Sequence, residues 1–142
     1  MNETQIQLAA VLKAAQMGQV GISCVRSSEL PASLQQALRT QRQEYDAIEQ
    51  EALTLAARRN WRLHDLNPFI RHMCCLSAGL RLRKGCPVSQ IAGMMIQGNT
   101  RGMITSIKNL NRYSGGDEAV VQLSRKLLHT ETCNIQQMKK FL

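Results

Sequence analysis

The sequence predicts an all-helical protein in which two helical hairpins pack into a four-helix bundle. Of its 142 residues, 44% are hydrophobic but only 4% are aromatic. The core must therefore be aliphatic, which suits packed helices better than a β-sandwich. Each of the three prolines lies where a predicted helix begins, a position that tolerates a missing N–H. An apolar pattern containing one glutamate also occurs twice, which indicates a duplicated hairpin.

The repeated pattern places a lone glutamate among apolar residues at helical spacing. Its first copy comprises Leu34, Gln41, Glu44, Ile48 and Leu55, and its second comprises Val121, Leu128, Glu131, Ile135 and Leu142. A shift of 87 residues carries Glu44 onto Glu131. We therefore expect one buried carboxylate in each half of a single domain that spans residues 1–142.

Periodicity predicts five helices, of which three precede the second hairpin. The first spans Glu3 to Arg26, and the second runs from Pro31 to about Asn60. The third opens at the N-cap candidate Asn67, which is followed by Pro68, and ends near Gly85. This third helix is an additional one, because it falls in the long connection between the two hairpins.

The fourth helix runs from Pro87 to Arg112, and the fifth runs from about Asp117 to the C-terminus. The fourth is apolar on two sides, which predicts a central helix that contacts neighbours on two faces. Its two apolar stripes are Ile91, Met95, Gly98, Gly102 and Thr105, and Ile96, Met103, Ile107 and Leu110. Gly102 and its counterpart in the first helix, Gly18, lie 84 residues apart and predict close helix packing.

Composition indicates a soluble cytoplasmic protein. No stretch approaches the ~18 consecutive apolar residues of a membrane span. The N-terminal segment MNETQIQLAAVLKAAQ has an acid near its start and no cleavable apolar core, so it does not read as a signal peptide. Five cysteines without such a signal indicate reduced thiols and no disulfide framework.

Three segments resemble a known group of proteins. They are KAAQMGQVGI, QRQEYDAIEQEA and MIQGNTRGMITSIKNLNRYSGGDEAVVQLSRKLLHTETCNIQQMKKFL, and they are similar to uncharacterised bacterial proteins of about this length with the ferritin-like four-helix bundle. The resemblance implies a ferritin-like fold and no established activity. Similar sequences tend to carry a histidine and a glutamate where this chain has Gln90 and Gly93.

A ferritin-like di-iron site needs one glutamate from each of two helices and a Glu-x-x-His pair from each of the other two. Glu44 and Glu131 occupy the glutamate positions of such pairs, but Ala47 and Asn134 stand where the histidines should be. No Asp or Glu occurs between Glu3 and Glu29 or between Asp65 and Asp117. The sequence therefore predicts no di-iron centre and no cofactor. A single metal ion held by Glu44 and Glu131 is the alternative.

The interpretation that we favour for the two glutamates is a buried polar layer, because a buried carboxylate must be paired or protonated. The candidate residues of this layer, or of a small-ligand site, are Gln41, Glu44, Tyr45, Gln97, Asn99, Glu131 and Asn134. In an alternative register Glu44 turns outward and Tyr45 takes its place on the buried stripe.

The cysteines and the basic residues offer two further candidate sites. The cluster His72, Cys74, Cys75 and Cys86 has the donors of a zinc or redox site, although it lacks the usual C-x₂-C hook. The net charge of +8 is concentrated after residue 57, which would suit an anionic partner such as nucleic acid. This basic patch comprises Arg58, Arg59, Arg62, Arg71, Arg81, Arg83 and Lys84.

The sequence as a whole favours a non-catalytic ferritin-like bundle that acts as a binding or structural module. No nucleophilic constellation and no glycine-rich phosphate loop occurs in it. We expect a homodimer that forms through an exposed apolar helix face. A metal or redox protein, and a nucleic-acid-binding protein, are the competing hypotheses.

Overall fold

The computed structural model describes residues 2–27, 29–63, 86–113 and 115–142. These ranges contain helices and no strand, so the predicted all-helical, four-helix architecture is confirmed for them. The additional helix expected at residues 67–85 lies outside the described residues. The four helices are α1 Glu3–Val25, α2 Ala32–Arg58, α3 Val88–Arg112 and α4 Glu118–Lys139.

The helices begin where the sequence places helix starts. Asn2 and Gln5 form a reciprocal capping box at the start of α1, with the Gln5 N–H donating to Asn2 Oδ1 over 2.8 Å. Pro31 and Pro87 each directly precede a helix. Asp117 caps α4, because its side chain accepts from the backbone N–H groups of Ala119 and Val120.

The four helices form a bundle in which neighbours run antiparallel. The α1–α2 and α3–α4 hairpins pack side by side, so that α2 contacts α4 and α1 contacts α3. The bonds from Gln41 to Gln137 and from Lys126 to Glu51 show that α2 and α4 run in opposite directions. The α1 and α4 helices also touch across one diagonal. The helices of the other diagonal, α2 and α3, are consecutive in the sequence, and residues 59–87 connect them.

Burial reveals an internal repeat, but with a shift of 86 residues between α2 and α4. Under this shift seven buried positions of α2 fall on buried positions of α4. The pairs are Leu34/Val120, Ala37/Leu123, Leu38/Ser124, Gln41/Leu127, Tyr45/Glu131, Ile48/Asn134 and Ala52/Met138. The predicted shift of 87, which pairs Glu44 with Glu131, is therefore wrong by one residue, or about 100° of helix rotation.

The shift of 84 residues between α1 and α3 agrees with the structure. It carries five buried positions of α1 onto the five buried positions of α3, namely Gln7/Ile91, Leu8/Ala92, Val11/Met95, Ala15/Asn99 and Ile22/Ser106. It also pairs Gly18 with Gly102. Each glycine lies against a side chain from the other helix of its hairpin, Tyr45 for Gly18 and Glu131 for Gly102. The two hairpins are thus equivalent in packing as well as in sequence pattern.

The expected central position of α3 is wrong for one of its two apolar stripes. Ile91 and Met95 are buried, but Gly98 and Thr105 of the same stripe are exposed. The second stripe is covered only in part by the described residues: Ile96 packs against the core, whereas Ile107 is 41% exposed. Hydrophobic periodicity alone does not distinguish a stripe that packs inside the chain from one that faces outward.

The α1 helix is long and apolar enough to cross a membrane by length and composition, with a mean hydropathy of 1.3. However, 44% of that apolar window is buried inside the bundle. Core helices of soluble proteins have the same properties, and here Leu8, Leu12 and Ile22 of α1 are completely or almost completely buried. The apolar character of α1 is therefore accounted for by the core of the bundle.

Candidate functional site

A layer of buried polar side chains lies in the middle of the bundle and is supplied by α2, α3 and α4. Tyr45 is 4% exposed, and its hydroxyl donates to Asn99 Oδ1 over 2.7 Å. The Asn99 amide in turn donates to the Met95 carbonyl over 2.9 Å. The hydrogen bond between Tyr45 and Asn99 joins the diagonally opposite helices α2 and α3.

Glu131 is the charged member of the layer and is only 2% exposed. The Ser106 hydroxyl donates to Glu131 Oε1 over 2.6 Å, which links α3 to α4. Burial raises the pKa of Glu131 to about 7, although the Ser106 hydrogen bond opposes this shift. A substantial fraction of the Glu131 carboxyl groups is therefore protonated near neutral pH.

Each hairpin has a glycine that makes room for one large polar side chain. A Cβ at Gly102 would collide with Glu131 Oε2, and a Cβ at Gly18 would lie 2.6 Å from the Tyr45 ring. Tyr45 therefore occupies in the first hairpin the place that Glu131 occupies in the second. Two buried, equivalent carboxylates were expected, but the structure contains one carboxylate and one phenol.

The phenol of Tyr45 is a poor acid in this setting. Burial raises the pKa of Tyr45 far above its usual value, and the negative charge of Glu131 raises it further. The neighbouring Asn134 amide offsets part of this shift, and Glu44 adds a smaller increase. Tyr45 therefore acts as a neutral hydrogen-bond donor and does not supply an anionic ligand.

Two of the seven predicted members of the polar layer lie at the surface. Glu44 and Gln97 are exposed, so the prediction that they belong to the buried layer is wrong, and the alternative register with Tyr45 on the buried stripe holds. Partial burial raises the pKa of Glu44, and the nearby positive charge of His129 offsets part of the shift. The other five, Gln41, Tyr45, Asn99, Glu131 and Asn134, are buried. Tyr45 interacts with Asn99, Asn134 and Glu131, whereas Gln41 bonds to Gln137.

Some polar atoms of the core have no hydrogen-bond partner within the described ranges. They are both side-chain polar atoms of Gln7, Oε1 of Gln41 and Nδ2 of Asn134. Gln41 does donate through Nε2 to Gln137 Oε1 over 2.9 Å. Gln7 is completely buried beneath Gly116, in the turn between α3 and α4. Unpaired groups of this kind cost about 1–3 kcal/mol each, so they oppose the stability of the bundle.

No group of three or more His, Cys, Asp or Glu side chains in the described part of the chain is arranged to hold a metal ion. Glu131 lies in the core with Ser106, whereas Glu44 lies at the surface near His129. The predicted Glu44/Glu131 pair therefore does not converge on one internal site.

Cysteine and histidine form one surface pair that the sequence interpretation missed. Cys133 Sγ lies 3.5 Å from His129 Nε2 on the exposed side of α4. The signal was present in the spacing of four residues, which places both side chains on one helix face. Of the predicted His72/Cys74/Cys75/Cys86 cluster only Cys86 is described, and it is partly exposed. The other three lie outside the described residues.

The basic patch is described at three of its seven positions. Arg58 and Arg62 are exposed, whereas Arg59 pairs with Asp117 at the start of α4 and lies 5.4 Å from the ring centroid of Trp61. Arg59 therefore joins the ends of α2 and α4. Arg71, Arg81, Arg83 and Lys84 lie outside the described residues.

An open groove of about 660 Å³ runs between α2 and α4 on the outer surface. Leu55 and Leu123 lie along it, and the exposed Lys126–Glu51 pair borders it. This surface is separate from the polar layer, because the layer is enclosed between the helices.

Comparison with known proteins identifies no relative. No family model, no curated protein and no solved structure matches this chain.

Proposed function

We propose that this protein is a non-catalytic, cytoplasmic helical bundle of the ferritin-like type that acts as a binding or structural module. The connection from α2 to the diagonally opposite α3 supports this, because ferritin-like bundles have one long crossover between two hairpins.

The observation that carries the proposal is the content of the polar layer. A ferritin-like dinuclear centre would need inward carboxylates and imidazoles from all four helices. Here Gly18 and Ala15 of α1 supply no ligand, and Tyr45 of α2 fills the space beside Gly18. Glu131 is the one carboxylate in the layer. The hydrogen bonds of the layer serve packing: the bond from Tyr45 to Asn99 joins the two hairpins, and the bond from Ser106 to Glu131 joins the two helices of the second hairpin.

The layer also lacks the features of a catalytic centre. Acid–base catalysis requires that the titrating group reach a substrate, but Glu131 is enclosed between helices and is 2% exposed. We therefore assign Glu131, Tyr45 and Asn99 a structural role.

Elemental analysis of protein purified without a metal-affinity tag tests the proposal. We expect substoichiometric iron, manganese and zinc in the wild type, and no change in Glu131→Gln. A stoichiometric metal that is lost in Glu131→Gln but kept in the surface variant Glu51→Gln would overturn the proposal. A metal lost in His129→Ala or in Cys86→Ser would point to a surface site or to the cysteine cluster, and would equally contradict a metal-free module.

A further inference from the structure

One side of α3, which the described helices cover only in part, has the pattern of a helix that packs against another helix. Its members, which we name the α3 seam, follow spacings of three, four, three, four and three residues. They are Gly93, Ile96, Thr100, Met103, Ile107 and Leu110. Ile104 adjoins the seam and is 46% exposed, and Ile107 within it is 41% exposed. Alternating spacings of three and four keep a seam in contact with a partner helix along its whole length.

Both borders of the α3 seam are uncharged. Ala92, Asn99 and Ser106 border it on the side of the core, and Gln97, Ile104 and Asn111 border it on the side of solvent. The charged residues of α3 are the cations Arg101, Lys108 and Arg112, which lie about a quarter turn or more away from the seam. Residues beside a seam select partners through their charges, so this seam is suited to a partner surface that is equally uncharged.

The internal repeat shows what the same helix side does in the other hairpin. The shift of 84 residues pairs Ile96 with Leu12, and Ile104 with Val20. Leu12 is 1% exposed and Val20 is 7% exposed, because α1 has contacts with α2, α3 and α4. The equivalent side of α3 is covered only in part by the described residues. Within the described ranges α1 thus contacts three helices and α3 contacts two. The equivalent of Ile107 is the polar residue Ser23, which is exposed as well, so the exposed isoleucine at this position is particular to α3.

We propose that the α3 seam is the interface of a homodimer in which α3 packs antiparallel against α3 of a second copy. This inference rests on the proposed function, since it names the partner of the module. A twofold axis pairs a surface with itself, and an uncharged apolar seam is complementary to its own copy. Packing it removes the exposed Ile107 side chain and the half-buried Met103 side chain from water, and this burial stabilises the dimer.

The charge distribution along α3 selects the antiparallel direction. All three cations lie at or after Arg101, whereas residues 88–100 contain no charged side chain. Parallel helices would place the two cationic halves side by side, but antiparallel helices place each beside an uncharged half. With the axis between Thr100 and Met103, Ile96 faces Ile107 of the copy and Gly93 leaves room for Leu110 of the copy.

Sedimentation equilibrium over a range of concentrations tests the dimer. We expect a dimer for the wild type and at least a tenfold weaker association for Ile107→Glu, which should still fold because Ile107 is partly solvated. The matched control is Ile6→Glu, since Ile6 on α1 is 40% exposed; it should remain dimeric. A monomeric wild type, or a dimer that Ile107→Glu leaves intact, would overturn the proposal.

Cross-linking tests the antiparallel direction. A mixture of Ile96→Cys and Ile107→Cys chains should give a cross-linked dimer on oxidation that neither variant gives alone beyond the wild-type background. Self-cross-linking of Ile107→Cys would contradict the antiparallel arrangement. These results do not depend on metal content. A monomeric protein would contradict the dimer and not the metal-free module, and a stoichiometric metal would contradict the module and not the dimer.

Discussion

At the scale of single residues, the two hairpins place different groups at equivalent positions. Asn99, Ser106, Glu131 and Asn134 of the second hairpin correspond to Ala15, Ile22, Tyr45 and Ile48 of the first. The second hairpin therefore supplies most of the polar layer, and the first hairpin adds the hydroxyl group of Tyr45. Glu131 is the one buried carboxyl group among the described residues, and its protonation affects the stability of the bundle.

The raised pKa of Glu131 predicts that the protein is more stable in mild acid. Between pH 4.5, the value for an unfolded glutamate, and about 7, the folded state holds a proton that the unfolded chain has released. The free energy of unfolding therefore falls as the pH rises through this range, by about 3 kcal/mol in total. Urea denaturation of the wild type and Glu131→Gln should show a stability difference that changes with pH. A difference that is constant between these pH values would contradict the assignment.

The space beside Gly102 predicts a second effect at residue scale. Gly102→Ala should destabilise the protein, because the added methyl group collides with Glu131 Oε2. In a Glu131→Ala background the same change should stabilise it by up to about 1 kcal/mol, since alanine favours helix over glycine.

The matched control for this pair of variants is Gly98→Ala, one turn away. A Cβ at Gly98 has no neighbour within 4 Å, so this change should be neutral or stabilising in both backgrounds. Chemical denaturation of the four combinations of Gly102 and Glu131 variants gives the coupling energy. Coupling near zero would show that Gly102 does not accommodate the carboxylate.

At the scale of helices, the sequence predicted where each of the described helices begins but not how α2 is rotated. Prolines, Asn2 and Asp117 mark the starts because their effects are local. Glu44 and Tyr45 are adjacent and point about 100° apart, and apolar neighbours at helical spacing support either one as buried. Contact across the hairpin decides between them, since Gly18 makes room for an aromatic ring.

The same reason explains why five of the seven residues predicted for the polar layer are buried and two are not. Gln41, Tyr45, Asn99, Glu131 and Asn134 lie on the faces that burial selects. The rotation of α2 turns Glu44 toward solvent, and Gln97 lies on the solvated side of α3.

The start of α4 predicts a stability effect that separates a helix cap from an ion pair. Asp117 caps α4 and pairs with Arg59, and the Arg59 hydrogen bond lowers the pKa of Asp117. Asp117→Ala removes both interactions and should cost about 1 kcal/mol or more. Asp117→Asn keeps the cap and should cost less. Thermal melts check this ranking, with Glu51→Gln as the exposed ion-pair control, which should melt like the wild type.

The lowered pKa also gives the pH direction for the contribution of Asp117. Stability from this group is present above pH 3.8, the value in the unfolded chain, and is lost as the pH falls through the lower folded value. Its effect therefore lies below the range in which Glu131 titrates. Equal losses for Asp117→Ala and Asp117→Asn would contradict the role of the cap.

At the scale of the whole molecule, bonds between the hairpins predict that they unfold together. Tyr45–Asn99, Gln41–Gln137 and Arg59–Asp117 each join the first hairpin to the second, two from the middle of α2 and one from its C-terminal end. Trp61 is the one tryptophan of the chain and packs against the core just after α2. Its fluorescence should therefore follow the same denaturation curve as the helical circular dichroism signal.

Tyr45→Phe provides the sharper form of this test, because it removes the hydroxyl that joins α2 to α3 and leaves Asn99 Oδ1 without its donor. Both denaturation curves should move to lower urea by the same amount, corresponding to about 1–3 kcal/mol. Gln36→Leu, at an exposed position of α2, should leave both curves nearly unchanged. If the fluorescence curve moved and the circular dichroism curve split into two steps, the hairpins would be separate folding units, and the polar layer would not be what unites them.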